Sequence, residues 1–139
     1  MRILVVEDNE ANFYLIRFML ENAGHEVIGA ETGAAGVEAA IKEKPNLILM
    51  DIQLPDIDGL EATRRIRASE ADGEVPIIAL TSYAMAGDRE KYLAAGCTGY
   101  IEKPINPETL LSEIEKHIGK AQLVSPGQSD RESGAGRQE

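Results

Sequence analysis

The chain has 139 residues, 43% of them hydrophobic and 27% charged, enough for one domain with a buried core and too few for a second folded module. Its formal net charge of -10 repels polyphosphate, and no cluster of Lys and Arg offers a footprint for a nucleic acid, so direct nucleic-acid binding is not expected. A lone cysteine, Cys97, excludes an internal disulfide framework, and the apolar run at the N-terminus, Ile3 to Val6, is too short for a signal peptide or a membrane span; a cytoplasmic protein is expected.

Ile3-Leu4-Val5-Val6 is a short, partly β-branched strand that ends on two carboxylates, Glu7 and Asp8. Leu15, Ile16, Met19, Leu20 and Ala23 then mark one stripe of a helix, which Gly24 can close. Val27 to Ala30 is a weaker strand. Thr32 can cap a helix with Val37, Ala40 and Ile41 inward, stopping before Pro45. His25 and His117 lie far apart without cysteine partners and read as surface histidines rather than zinc ligands.

Leu47-Ile48-Leu49-Met50 is apolar throughout, the pattern of a strand buried on both faces in a parallel sheet. It ends on Asp51, and in open α/β sheets chemistry gathers beyond the carboxyl ends of the strands. Asp58-Gly59 opens a helix with Leu60, Thr63 and Ile66 inward and Arg64, Arg65 and Arg67 outward, and Glu70 to Glu74 is a polar loop. Val75 to Leu80 is the next strand, ending on Thr81-Ser82. Ala84 to Ala95 is helical by composition, with a thin apolar stripe of Tyr92, Leu93 and alanines, so it should be loosely held. Gly99-Tyr100-Ile101 is a short strand before Lys103-Pro104. Asn106-Pro107 gives an N-cap with Pro at N1 for a last helix carrying Leu111, Ile114 and Ile118 inward. From about Lys120 almost nothing can be buried, and a disordered tail over 120–139 is expected beyond a domain of 1–119. Five strands alternating with five helices imply a doubly wound parallel sheet with two helices on one face and three on the other.

The strand ends bring Glu7, Asp8, Asp51, Thr81 and Lys103 to one edge of the sheet. Close carboxylates repel one another and are tolerable around a hard divalent cation, for which oxygen ligands in octahedral geometry favour Mg²⁺. A carboxylate held beside such a cation suits a phosphoryl acceptor, with Lys103 and the Thr81 hydroxyl covering the remaining phosphoryl oxygens.

In these residues, in Met50-Asp51-Ile52-Gln53-Leu54-Pro55-Asp56-Ile57-Asp58-Gly59 and in Tyr100-Ile101-Glu102-Lys103-Pro104, the chain resembles the receiver domain of bacterial two-component response regulators over Met1 to about Gly119. The resemblance implies a flavodoxin-like fold with strand order 2-1-3-4-5, and a signalling switch rather than a turnover enzyme, one that promotes its own phosphorylation and dephosphorylation. Asp51 would accept phosphate from a phosphohistidine of a sensor histidine kinase or histidine phosphotransfer protein. Asp8, Asp51 and the Gln53 carbonyl would bind Mg²⁺ directly, and Glu7 through water. The departure is Glu7 itself, where many relatives carry Asp; the extra methylene suits the water-mediated role. Tyr100 would be the switch aromatic, turning inward as Thr81 moves toward the phosphate, although on strand geometry alone it is equally a half-buried structural aromatic. Family members carry a cis bond at the position of Lys103-Pro104. Gln53 and Tyr83 would flank the phosphoryl group and set its lifetime. A stand-alone receiver is expected, acting on a downstream protein target through the surface of the fourth helix, fifth strand and fifth helix.

Three other readings compete. A haloacid-dehalogenase-type phosphatase also uses an Asp nucleophile with Mg²⁺, but its second Asp, the acid/base, is replaced here by Gln53. A flavodoxin-like flavin-binding electron carrier would need a phosphate cradle where Glu7-Asp8-Asn9-Glu10 would repel one. A degenerate receiver without phosphorylation conflicts with the complete acidic set.

Overall fold

A computed structural model describes residues 1–69, 75–82 and 87–119. The polar loop expected at Glu70 to Glu74, the start of the fourth helix at Ala84, Tyr83 and the tail from Lys120 lie outside the described residues. The elements run β1 (Arg2–Val6), α1 (Glu10–Asn22), β2 (Glu26–Ala30), α2 (Gly33–Glu43), β3 (Leu47–Asp51), α3 (Gly59–Ser69), β4 (Ile77–Thr81), α4 (Asp88–Ala95), β5 (Gly99–Glu102) and α5 (Leu110–Ile118). All pairings are parallel, in the order β2-β1-β3-β4-β5 expected from the resemblance.

The continuous apolar runs are explained by burial on both faces. Every residue of β3 and β4 is buried, as are Ile3 to Val6 of β1, whereas β2 at the sheet edge is half-exposed. Because successive strand residues point to opposite faces, the sheet separates two cores. Ile3, Val5, Leu47, Leu49, Ile78 and Leu80 pack under α1 and α5, with Ile16, Leu20, Leu110 and Ile114. Leu4, Val6, Ile48, Met50, Ile77 and Ala79 pack under α2, α3 and α4, with Ala40, Leu60, Ile66 and Tyr92. Each fully buried Leu or Ile contributes about 1.5–3 kcal/mol.

Several caps follow the sequence. Thr32 caps α2 by accepting from the Ala35 N–H at 3.0 Å, and Gly24 takes φ +93° just after α1. Other expectations need correction. Ile41 is 49% exposed, because α2 is buried through Gly33, Gly36 and Ala40, with Gly33 against Ile57 of the β3–α3 loop and Gly36 against β1; a Cβ on Gly36 would come within 2.8 Å of Val6 Cγ2. Glycines were the contact surface, and an apolar stripe does not register them. In the last helix Ile114 is fully buried as expected and Leu111 and Ile118 pack half-buried beside it, but Leu110, outside the expected stripe, is fully buried as well. Asn106 begins a tight turn, its Oδ1 accepting from the Glu108 N–H at 2.8 Å, and α5 starts only after Thr109. Arg67 also turns partly inward, its Nε donating to the Gly96 carbonyl at 2.9 Å. Neither histidine is a free surface group: His25 is buried against the N-terminal amine, and His117 is half-buried with Nε2 3.1 Å from the Tyr100 carbonyl oxygen.

Candidate functional site

Parallel strands end together, so the carboxyl edges of β1, β3, β4 and β5 deliver their next residues to one place. Glu7 prolongs β1, its N–H donating to the Ala30 carbonyl at 3.0 Å, and its side chain is buried. Asp8 is exposed beside it, and Asn9 caps α1 by accepting from the Asn12 N–H at 2.9 Å. Asp51 closes β3 and is 2% exposed; its Oδ1 accepts from the Gln53 N–H at 3.1 Å. Carboxylate oxygens of Glu7, Asp8 and Asp51 all lie within 4.8 Å of one another. Lys103 directly follows β5 and precedes a cis Lys103-Pro104 bond, and its Nζ stands 3.1 Å from Glu7 Oε1 and 3.2 Å from Asp51 Oδ1.

The electrostatics show an excess of negative charge. Burial first, and then the neighbouring Asp51, push the Glu7 carboxyl above its ordinary value, although the Asn9 N–H and Lys103 pull the other way. Burial disfavours the Lys103 ammonium, but Glu7 and Asp51 outweigh it and raise its pKa. One ammonium therefore does not neutralise the cluster. Glu7 Oε1 is buried and, though in ion-pair range of Lys103, lacks a hydrogen bond of good alignment. Three carboxylates with an underpartnered buried oxygen fit a hard divalent cation such as Mg²⁺, whose preference is for oxygen ligands.

Around this centre the other expected residues fall as follows. Thr81, the last residue of β4, is 4% exposed and shares a 2.8 Å hydrogen bond with the Tyr92 hydroxyl of α4. Tyr100 is half-buried, its ring centroid 5.5 Å from that of Tyr92 at 58°. The Gln53 side chain is exposed in the loop after Asp51. Cys97 is buried as packing, with Sγ 3.9 Å from Thr63 Oγ1.

Two residues were not foreseen in these roles. Asp56 reaches from the β3–α3 loop to the start of α2, its oxygens accepting from the Gly33 N–H at 2.7 Å and the Ala34 N–H at 2.9 Å. The Ala34 N–H, with that of Gly33, holds its carboxyl down to about 2, against an opposing effect of desolvation. The sequence signal was a helix with no acid in its own first turn, an end that attracts a carboxylate from elsewhere. Tyr92 was read only as part of a thin stripe; its signal was that a buried tyrosine hydroxyl needs a partner.

Comparison with known proteins agrees with this geometry. The family model described as "Response regulator receiver domain" matches residues 3–115. The polar-differentiation response regulators DivK of Brucella ovis and Brucella abortus are 40% identical over 119 residues, covering 86% of this chain and 97% of theirs. Among solved structures, the receiver domain of the sensor histidine kinase PA1611 from Pseudomonas aeruginosa is 43% identical with a TM-score of 0.76, covering 86% of this chain and 98% of that one. That structure has a magnesium ion coordinated in the active site cleft. The Vibrio cholerae chemotaxis protein CheY4 is 29% identical with a TM-score of 0.78, over 84% and 97%. Neither the phosphatase nor the flavodoxin reading finds support, and no helix among the described residues is long and apolar enough to cross a membrane. With its strand order, its acidic cluster and a family match over most of its length, the chain belongs to the response regulator receiver domains of two-component signalling.

Proposed function

We infer that Asp51 takes a phosphoryl group from a phosphohistidine of a sensor histidine kinase or histidine phosphotransfer protein, and that the phosphorylated chain signals by contact with a downstream protein. The observation that carries this reading is the placement of Asp51: at the carboxyl end of the central strand, 2% exposed, with Oδ1 3.2 Å from Lys103 Nζ and its carboxylate beside those of Glu7 and Asp8.

A carboxylate oxygen of Asp51 attacks phosphorus in line, the phosphorus–nitrogen bond of the donor breaks, and the imidazole leaves with its electron pair, giving an acyl phosphate. Asp8, Asp51 and the Gln53 carbonyl would hold Mg²⁺, with Glu7 acting through water; the cation would supply charge neutralisation for the phosphoryl oxygens. Lys103 leaves its bridging position to pair with a phosphoryl oxygen, and the Thr81 hydroxyl donates to another, electrostatic positioning of the kind phosphoryl transfer needs. Tyr100 follows Thr81 inward and alters the surface of α4, β5 and α5. Gln53, exposed beside Asp51, and Tyr83 would govern how readily water reaches the phosphorus. The reading places the protein in the cytoplasm and assigns it no direct nucleic-acid role.

Labelling with a small phosphodonor such as acetyl phosphate in Mg²⁺ tests the centre of this reading. Asp51→Asn, which keeps the shape and removes the nucleophile, should reduce incorporation to background. Labelling of that variant at the wild-type stoichiometry would move the acceptor elsewhere.

A further inference from the structure

We propose that Tyr92 is the resting-state latch of this switch: its hydroxyl holds Thr81 turned away from the phosphoacceptor, and phosphorylation acts on α4 by breaking that bond. The inference rests on the role given above to Thr81.

The observations are local and specific. Thr81 Oγ1 and the Tyr92 hydroxyl are 2.8 Å apart, and both residues are buried, at 4% and 5% exposure. Thr81 ends β4 one register position beyond the Asp51 pairing with Leu80, so the hydroxyl is next to the site yet is engaged with α4. Turning that oxygen toward a phosphoryl group on Asp51 takes it away from Tyr92. Tyr92 belongs to the buried cluster that includes Ala79, Leu60 and Cys97, and its hydroxyl would lose this bond, which is unfavourable for a buried polar group.

The relief available is movement of α4. That helix has eight residues, buries only Tyr92 and Ala95, and begins at Gly87 with no side-chain cap among the described residues. Such an element can shift at little cost, letting the Tyr92 hydroxyl find water or a new acceptor. The ring of Tyr92 also lies against Tyr100, so displacement of one tyrosine changes the space open to the other. Thr81, Tyr92 and Tyr100 thus form one continuous path from the phosphoacceptor to the outer face of α4 and β5.

Because the bond exists only in the resting arrangement, removing it should favour the activated one. The test is titration of the full chain with beryllofluoride in saturating Mg²⁺, followed by calorimetry, for wild type, Tyr92→Phe, Thr81→Ala and the double variant. Tyr92→Phe keeps the ring and deletes only the hydroxyl. It should tighten beryllofluoride binding about three- to tenfold, the worth of one buried hydrogen bond. In the Thr81→Ala background the same substitution should change affinity by less than about twofold, because the latch has already lost its other half. A purely structural Tyr92 would give no such dependence on Thr81. Unchanged or weaker binding by Tyr92→Phe, or an undiminished gain without Thr81, would overturn the latch while leaving Asp51 as acceptor. Binding that is the same in Asp51→Asn as in wild type would instead remove the underlying functional reading, and the latch with it.

Discussion

The loop after β3 and the helix after β4 lie on either side of the same site and are held in opposite ways. The loop is fixed along its length: the Ile52 N–H donates to the Leu80 carbonyl at 3.0 Å, the Gly59 N–H to the Ile52 carbonyl at 2.8 Å, Asp58 Oδ1 accepts from the Glu61 N–H at 2.8 Å, and Asp56 grips the start of α2. The helix that follows it, α3, buries Gly59, Leu60, Ala62, Thr63 and Ile66. By contrast α4 buries two residues, and among the described residues no side chain caps its start at Gly87. The difference teaches where rigidity is useful. Acceptor chemistry depends on placing one carboxylate against a donor, whereas signalling depends on an element with two arrangements close in free energy.

The strongest challenge to this contrast is a methyl group at Gly59. A Cβ there would collide with the carbonyl of Asp51 and crowd the Ile52 Cα, backbone atoms that cannot swing aside. Gly59→Ala should cost about 3 kcal/mol in urea unfolding. It should also slow phosphorylation by shifting Asp51, and a variant as stable and as active as wild type would show that the loop is not pinned.

A smaller effect is expected from Asp56. Its carboxyl titrates near 2 in the fold and near 3.8 when unfolded, so the unfolded chain takes up the proton first as pH falls. Its contribution to stability is therefore complete above about pH 4 and declines toward pH 2. Asp56→Asn should lower the melting temperature at pH 7 by a few degrees and flatten the stability-versus-pH curve in that acid window. Identical acid slopes for variant and wild type would mean the grip on α2 is negligible.

The smallest effect belongs to α4. Leu93 is 39% exposed, and Leu93→Ser should change stability by less than about 0.5 kcal/mol. A loss above about 1 kcal/mol by urea unfolding would show α4 to be docked more firmly than its two buried residues imply.

Much of the site was legible in the sequence because strand ends are one-dimensional features. An apolar run that stops at Glu7, Asp51 or Thr81 fixes where the polar residue emerges, and parallel topology brings those ends together. The helix faces were less legible. Ile41 fits an apolar stripe yet is exposed, while Gly33 and Gly36 make the close contacts of α2 and Leu110, outside the expected stripe of the last helix, is fully buried, since distance of approach depends on both surfaces at once. The histidines were misread for the same reason: the pocket that buries His25 and the carbonyl that meets His117 come from other elements.

By itself, then, the sequence determined the alternation of strands and helices, the parallel sheet and the set of residues at its carboxyl edge, because hydrophobic period and capping are local. Only the tertiary structure decided that Lys103 bridges Glu7 and Asp51, that Asp56 grips α2, and that Thr81 rests against Tyr92. Each of those is a directional contact between groups far apart in the chain. A hydrogen bond or ion pair depends on distance and angle within a few tenths of an ångström, which packing sets and residue spacing does not encode.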